Sequence, residues 1–268
     1  MADSAITSVK NITSTRKVVD ARDIGKIHIP AENTHLFENK AKQMFSIAEG
    51  VGRNLGLVES AASPNAFKNQ INEVLEKYNW DVETFQKTKL KPVDKLSETE
   101  LSIMKEVRDV VLKPTSDTAL QKTIPGQDIE KYISGVYTEI GGYVAKIDDM
   151  GHIKNYDDVV ESSRLDYSFP DGWRPYPEDG DTYGKIVFKS QKIDSIEIPY
   201  GERFGGTNID GPPCTLNGFT GSRNGEIVPE WQFDDRYLPK QGAEIYKVIN
   251  GNEILVGVFN GKKFVAVN

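Results

Sequence analysis

The sequence predicts an α+β protein: a helical N-terminal region (1–117) followed by a mixed, mostly antiparallel β-rich region (118–268). Three observations carry that reading. Only four of the 23 glycines and one of the eleven tyrosines precede residue 118. Apolar residues recur at three- and four-residue spacings up to Lys113, and afterwards in short runs cut by glycine, proline and aspartate, the patterns of one-faced helices and of strands with turns. Charge divides at the same place. Residues 1–118 carry 17 Lys+Arg and 17 Asp+Glu, whereas residues 119–268 carry 16 and 23 and so hold the whole net charge of -7.

After a polar leader (1–33), Thr34 caps a predicted helix whose stripe is Leu36, Phe37, Ala41, Met44, Phe45 and Ala48. Ser63-Pro64 begins a second, with serine at the cap and proline at the first helical position, where its missing N–H costs nothing. Phe67, Ile71, Val74, Leu75 and Tyr78 form its apolar face. A short helix over 81–87 follows. Ser97-Glu98-Thr99-Glu100 then reads as a capping box ahead of Leu101, Met104, Val107 and Val111, and Pro114 ends that helix.

The predicted strands are 142–147, 184–189, 195–199, 242–249, 253–259 and 263–267, the last two joined by Asn260-Gly261, a strong hairpin signal. Helices are expected at 127–133 and 156–163, a loop over 169–182, and a long glycine-rich loop over 201–224 that is functional or mobile. No βαβ alternation is present, which argues against a doubly wound parallel sheet.

Composition narrows the function classes. No apolar run approaches the roughly 18 residues of a membrane helix, so no membrane span is expected. The start, Met1-Ala2-Asp3-Ser4, lacks the basic and apolar segments of a signal peptide. One cysteine, Cys214, forms no internal disulfide, and His28, His35 and His152 are too dispersed for a zinc site. Asp148-Asp149 and Asp157-Asp158 lack the spacing of a cation loop and read as loop and helix-cap charges; no metal is expected. Gly141-Gly142 is too short for a dinucleotide fingerprint. Trp173, Tyr176 and Trp231 are candidates to line a pocket or stack on a base, or else to pack in the core.

One order of motifs carries chemistry. Ile196-Glu197-Ile198-Pro199-Tyr200-Gly201 precedes the glycine-rich segment 215–222, then Gly225-Glu226-Ile227-Val228-Pro229-Glu230-Trp231-Gln232, then Tyr237-Leu238-Pro239-Lys240 and a strand. A glycine-rich loop thus leads to an acid, and a Leu-Pro and a glycine introduce a strand. This order resembles the C-terminal end of bacterial ADP-ribosyltransferase toxins, and residues 121–268 resemble the C-terminal toxin modules of secreted bacterial polymorphic toxins.

The resemblance implies an ADP-ribosyltransferase-like β-rich domain that uses NAD as its substrate, transferring ADP-ribose or hydrolysing the dinucleotide. A glutamate would stabilise the cation that develops on the ribose as nicotinamide leaves. Glu230 is the first candidate and Glu226 the second, because Glu230-Trp231-Gln232 places the acid before the amide. Arg164 is the candidate for the phosphates, through its guanidinium fork, with Lys122 as a point charge; its alternative is an ion pair with Asp166 or Asp158. Tyr143, Phe219 and Ser222 complete the implied NAD-binding set. The implied setting is an effector delivered by a route without a signal peptide, with a protein target and an immunity protein as partners.

Two other classes stay open: a metal-independent RNase-type toxin using His152 for acid–base work, and a non-enzymatic structural or adaptor protein of a phage or secretion particle. Nucleic acid needs a positive field to release counterions from its phosphates, and the β-rich region has the opposite sign. The chain is accordingly expected to pass through a nucleic-acid column at physiological salt. Retention with a steep salt dependence would overturn the charge argument.

Overall fold

The computed structural model describes residues 66–267. The helix predicted from residue 35 and the Ser63-Pro64 start lie outside them. Three helices come first: α1 (Ala66–Lys77), α2 (Val82–Lys89) and α3 (Glu98–Asp109). The starts of α2 and α3 have chemical causes. The Asp81 carboxylate accepts the Thr84 N–H at 2.7 Å and caps α2. The predicted capping box opens α3, with the Glu100 N–H donating to Ser97 Oγ and the Ser97 N–H donating to the Glu100 carboxylate.

Eight strands follow, interrupted by two helices: β1 (Leu120–Pro125), α4 (Asp128–Ile133), β2 (Ile140–Lys146), α5 (Tyr156–Ser163), β3 (Thr182–Phe188), β4 (Ile196–Glu197), β5 (Trp231–Tyr237), β6 (Glu244–Ile249), β7 (Asn252–Phe259) and β8 (Phe264–Ala266). They form one curled antiparallel sheet, a half-barrel, in the order β4-β5-β2-β1-β3-β6-β7-β8. The α+β class predicted from sequence is thereby established. The Asn260-Gly261 turn joins β7 to β8, and Asn260 Oδ1 accepts the N–H groups of Lys262 and Lys263.

The sequence reading did not include β1 or β5. Both carry charge in the middle (Lys122; Asp234, Asp235 and Arg236), which obscures the period-two burial of Leu120 with Ile124 and of Trp231 with Phe233. Conversely, the strand predicted over 195–199 shrinks to two paired residues, because Pro199 has no N–H to offer a ladder.

The break in composition near residue 118 marks where helices give way to strands, yet one core runs across it. Ile71, Leu75, Phe85, Met104 and Val107 from the helices are buried in the same apolar cluster as Leu120, Ile124, Phe188, Phe219, Trp231 and Ile245. Phe85 meets Phe219 edge-on at 5.4 Å. The helices therefore supply one wall of the interior. Burying a large apolar side chain contributes about 1.5–3 kcal/mol, so losing five of them is comparable to the whole usual stability of a domain, about 5–15 kcal/mol. Residues 118–268 expressed alone are expected to lack a cooperative denaturation transition and to bind a hydrophobic dye. A sharp transition with native-like near-ultraviolet dichroism would show that the sheet stands without α1–α3.

Candidate functional site

On the wall of a cavity of about 830 Å³, the structure brings together residues from β1, β2, the end of α5, the 165–176 segment and the long loop 201–230. Four of the seven catalytic and NAD-binding candidates from sequence line it: Glu230, Arg164, Lys122 and Tyr143. Tyr132, Tyr137, Tyr167, Phe169, Trp173 and Tyr176 make the wall strongly aromatic. Phe169 and Trp173 stack at 5.2 Å and 29° and remain exposed to solvent. Such a surface suits flat rings or the faces of sugars.

Glu230 immediately precedes β5, and its backbone is fixed at both ends: its N–H donates to the Gly218 carbonyl at 2.9 Å, and its carbonyl accepts Arg108 Nη2 at 2.8 Å. No hydrogen bond from the described residues reaches its carboxylate. Burial pushes that carboxyl up to about 7, against the pull of the cations Arg108 and Lys89. At neutral pH it therefore exchanges readily between acid and anion, the condition for a group that must carry or stabilise charge during a reaction. Nearby, the buried hydroxyl of Thr220 lines the same cavity without a partner among the described residues, a free handle for a bound polar group.

Two buried cations hold this carboxylate in place. Arg108, fully buried on α3, donates Nε to the Gly218 carbonyl at 2.9 Å and lies 4.1 Å above the centre of the Trp231 ring. Lys89, at the end of α2, donates to Ser222 Oγ at 2.8 Å and to the carbonyls of Ser222 and Glu226. In return Asn217 Nδ2 donates to the Lys89 carbonyl. Burial lowers Lys89 to about 8 and Arg108 to about 10, so both are predominantly charged at neutral pH.

The other predicted residues have different duties. Arg164 occupies a left-handed C-cap position on α5 and forms the ion pair with Asp166 that sequence offered as its alternative, through Nε at 2.9 Å and Nη2 at 3.2 Å; Nη1 donates to the Gly221 carbonyl. It fastens the loop to the helix, with one edge on the cavity. Glu226 lies off the cavity wall and pairs with Lys68 at 3.1 Å. Phe219 and Ser222 are wholly buried, one in the core and the other bonded to Lys89, and neither lines the cavity. Trp231 is a core residue, whereas Trp173 and Tyr176 belong to the cavity.

Tyr143 donates its hydroxyl to the Asp210 carboxylate at 2.7 Å and accepts from Asn208 Nδ2 at 2.8 Å, which fixes the loop over the cavity. Burial and that carboxylate push its phenol far up. Cys214 also lines the wall, and burial raises its thiol to about 11, so it is not a thiolate nucleophile. His152 shares a 2.8 Å hydrogen bond between Nε2 and Ser162 Oγ and is not part of the cavity. Asp210, Thr220 and Arg236 escaped the sequence reading; only the length of the loop pointed toward the first two.

The raised Glu230 carboxyl makes a stability prediction. The unfolded side chain ionises near 4.5 and the folded one near 7, so its ionisation opposes folding increasingly between those values. Glu230→Gln is expected to raise the urea midpoint at pH 8, with the gain shrinking as pH falls and absent by about pH 4.5. A variant destabilised at pH 8 would mean that the anion is stabilised in the fold.

Comparisons with protein-family models, with curated proteins and with solved structures give no match for this chain.

Proposed function

We propose that the protein is an NAD-consuming effector that breaks the nicotinamide–ribose bond and passes the ADP-ribosyl group to water or to a protein target. The observation that carries the proposal is the Glu230 carboxylate, unbonded among the described residues and on the wall of an aromatic-lined cavity. A volume of about 830 Å³ accommodates a dinucleotide-sized ligand. The stacked Phe169–Trp173 pair offers a platform for a planar base.

In this reading the C1′–N bond breaks heterolytically and its electron pair leaves with nicotinamide, which becomes neutral. The ribose carbon and ring oxygen share the positive charge that remains. Glu230 as the anion faces that charge in a water-poor site, where one such contact is worth far more than in solution. The bond is then completed by a water oxygen or a target side chain, which gives up its proton. Sequence resemblance supports the ADP-ribosyltransferase-like fold type, and with it the toxin setting, a protein target, an immunity partner and delivery into a target cell. The RNase reading finds less support, since His152 is bonded to Ser162 away from the cavity.

The purified 268-residue chain is expected to release nicotinamide from NAD, with kcat rising as pH increases through about 7 while Glu230 becomes ionised. Glu230→Gln keeps size and shape but loses the charge, and is expected to lower kcat by about two to three orders of magnitude. Glu226→Gln is expected to stay close to wild type. Equal rates for wild type and Glu230→Gln would remove the carboxylate from the reaction. An absence of turnover with and without candidate target proteins would favour a non-enzymatic binding module.

A further inference from the structure

We infer that Lys122 and Arg236, leaning from two strands onto the consecutive glycines Gly141 and Gly142, form an anion subsite of the cavity that takes a phosphate or diphosphate group. The inference deepens the NAD reading and depends on it only for the identity of the whole ligand. It also moves the anion away from Arg164, whose guanidinium is already bonded to Asp166 and to the Gly221 carbonyl.

Strand order sets up the geometry. β2 lies between β1, which carries Lys122, and β5, which carries Arg236. At Gly141 an added Cβ would stand 2.8 Å from Arg236 Cγ and 3.0 Å from its Cα; at Gly142 it would stand 3.5 Å from Lys122 Nζ. Arg236 thus packs on Gly141, where a side chain would collide with it and with the Asp235 carbonyl at 2.6 Å, and Lys122 reaches van der Waals distance of the next residue, Gly142. The pairing of β2 with β5 is irregular at this point, and Gly142 has φ +68°, which glycine adopts without strain.

The charges are left unanswered. Lys122 Nζ donates to the Tyr143 carbonyl at 3.1 Å, and neither it nor Arg236 forms an ion pair among the described residues. Of the acids that line the same cavity, Asp128 pairs with Lys131, Asp210 accepts the Tyr143 hydroxyl, and Glu230 answers to Arg108 and Lys89 rather than to Lys122 or Arg236. Burial, and then the like charge of Arg236, push the Lys122 amine down to about 8. Two cations held together without a counter-charge oppose folding, and a bound anion removes that opposition. An ammonium beside a guanidinium fork matches the oxygens of a phosphate, and two positive charges favour a multivalent anion over a single carboxylate.

The test titrates the 268-residue chain with inorganic pyrophosphate and with ADP by calorimetry, at low and at high salt, beside an NAD-turnover assay. Pyrophosphate and ADP are expected to bind, and to bind more weakly as salt rises. Lys122→Met and Arg236→Ala are each expected to weaken pyrophosphate binding about tenfold or more, the effect of losing one charged contact. Lys122→Arg is expected to retain most of it. Arg236 is exposed, so its replacement leaves the fold intact and keeps the test decisive even where Lys122→Met does not fold. Pyrophosphate affinity unchanged in Arg236→Ala and Lys122→Met, or no wild-type binding at millimolar pyrophosphate, overturns the subsite whatever the NAD assay gives. Binding that these variants abolish, in a protein that leaves NAD intact, supports the subsite and removes the NAD reading instead.

Discussion

The fold turns on a single buried guanidinium. Arg108 comes from the helical wall, lies flat on Trp231 of β5, and donates to the carbonyls of Gly218 and Glu230 on either side of the loop that carries the candidate carboxylate. Few other side chains do this: the acceptors are two backbone oxygens twelve residues apart, and the rigid fork of an arginine spans them while its face packs on an indole. Without it, the Glu230 carbonyl would lose its side-chain donor, at roughly 1–3 kcal/mol, the Gly218 carbonyl would keep only the Glu230 N–H, and the loop would lose its tie to the helices. Lys89 repeats the device at Ser222 and Glu226. Helices far away in sequence thus determine where Glu230 sits.

This arrangement makes the cavity polarised. Near the loop are Glu230 and Asp210, whose mutual repulsion adds to the burial that keeps the Glu230 proton in play. Toward the bulged edge of β2 are Lys122 and Arg236. Between them lie aromatic rings and the unpartnered Thr220 hydroxyl. A ligand with a negative group at one end and a developing positive charge at the other matches both ends, and the rings exclude water along its length. Low dielectric strengthens both electrostatic contacts together.

Within the described residues the helical region was legible because local chemistry decides it: the short helix over 81–87, the Ser97–Glu100 box and the Ile71–Val74–Leu75 stripe rest on short-range signals that the fold keeps. The β7–β8 hairpin was legible for the same reason. β1 and β5 were not, because charged residues interrupt their apolar alternation: Lys122 and Arg236 answer to the cavity, and Asp234 and Asp235 are exposed. For the site, sequence reached Glu230, Lys122 and Tyr143, which the fold brings to one wall, and named Arg164, whose ion pair with Asp166 it had also foreseen. It had no access to Arg108 or Lys89. Both look like ordinary helix-surface charges until the loop folds over them, and their partners are carbonyls, which leave no mark in an amino-acid sequence. Arg236 was hidden likewise, since its relation to Lys122 exists only through the order of the strands.

A backbone carbonyl does not take up a proton in the range where carboxylates do. The pairs of Arg223 with Glu161 and of Arg164 with Asp166 weaken as their acids are neutralised, but Arg108 and Lys89 keep their acceptors and their charge in acid. The loop is therefore riveted to the helices by an acid-tolerant joint and only trimmed by acid-labile ones. In an acidic compartment the ties of the Arg223 and Arg164 side chains to their acids would loosen while Ser222, Gly218 and Glu230 stayed in register, so that a passage through low pH and back would not require the site to be assembled afresh.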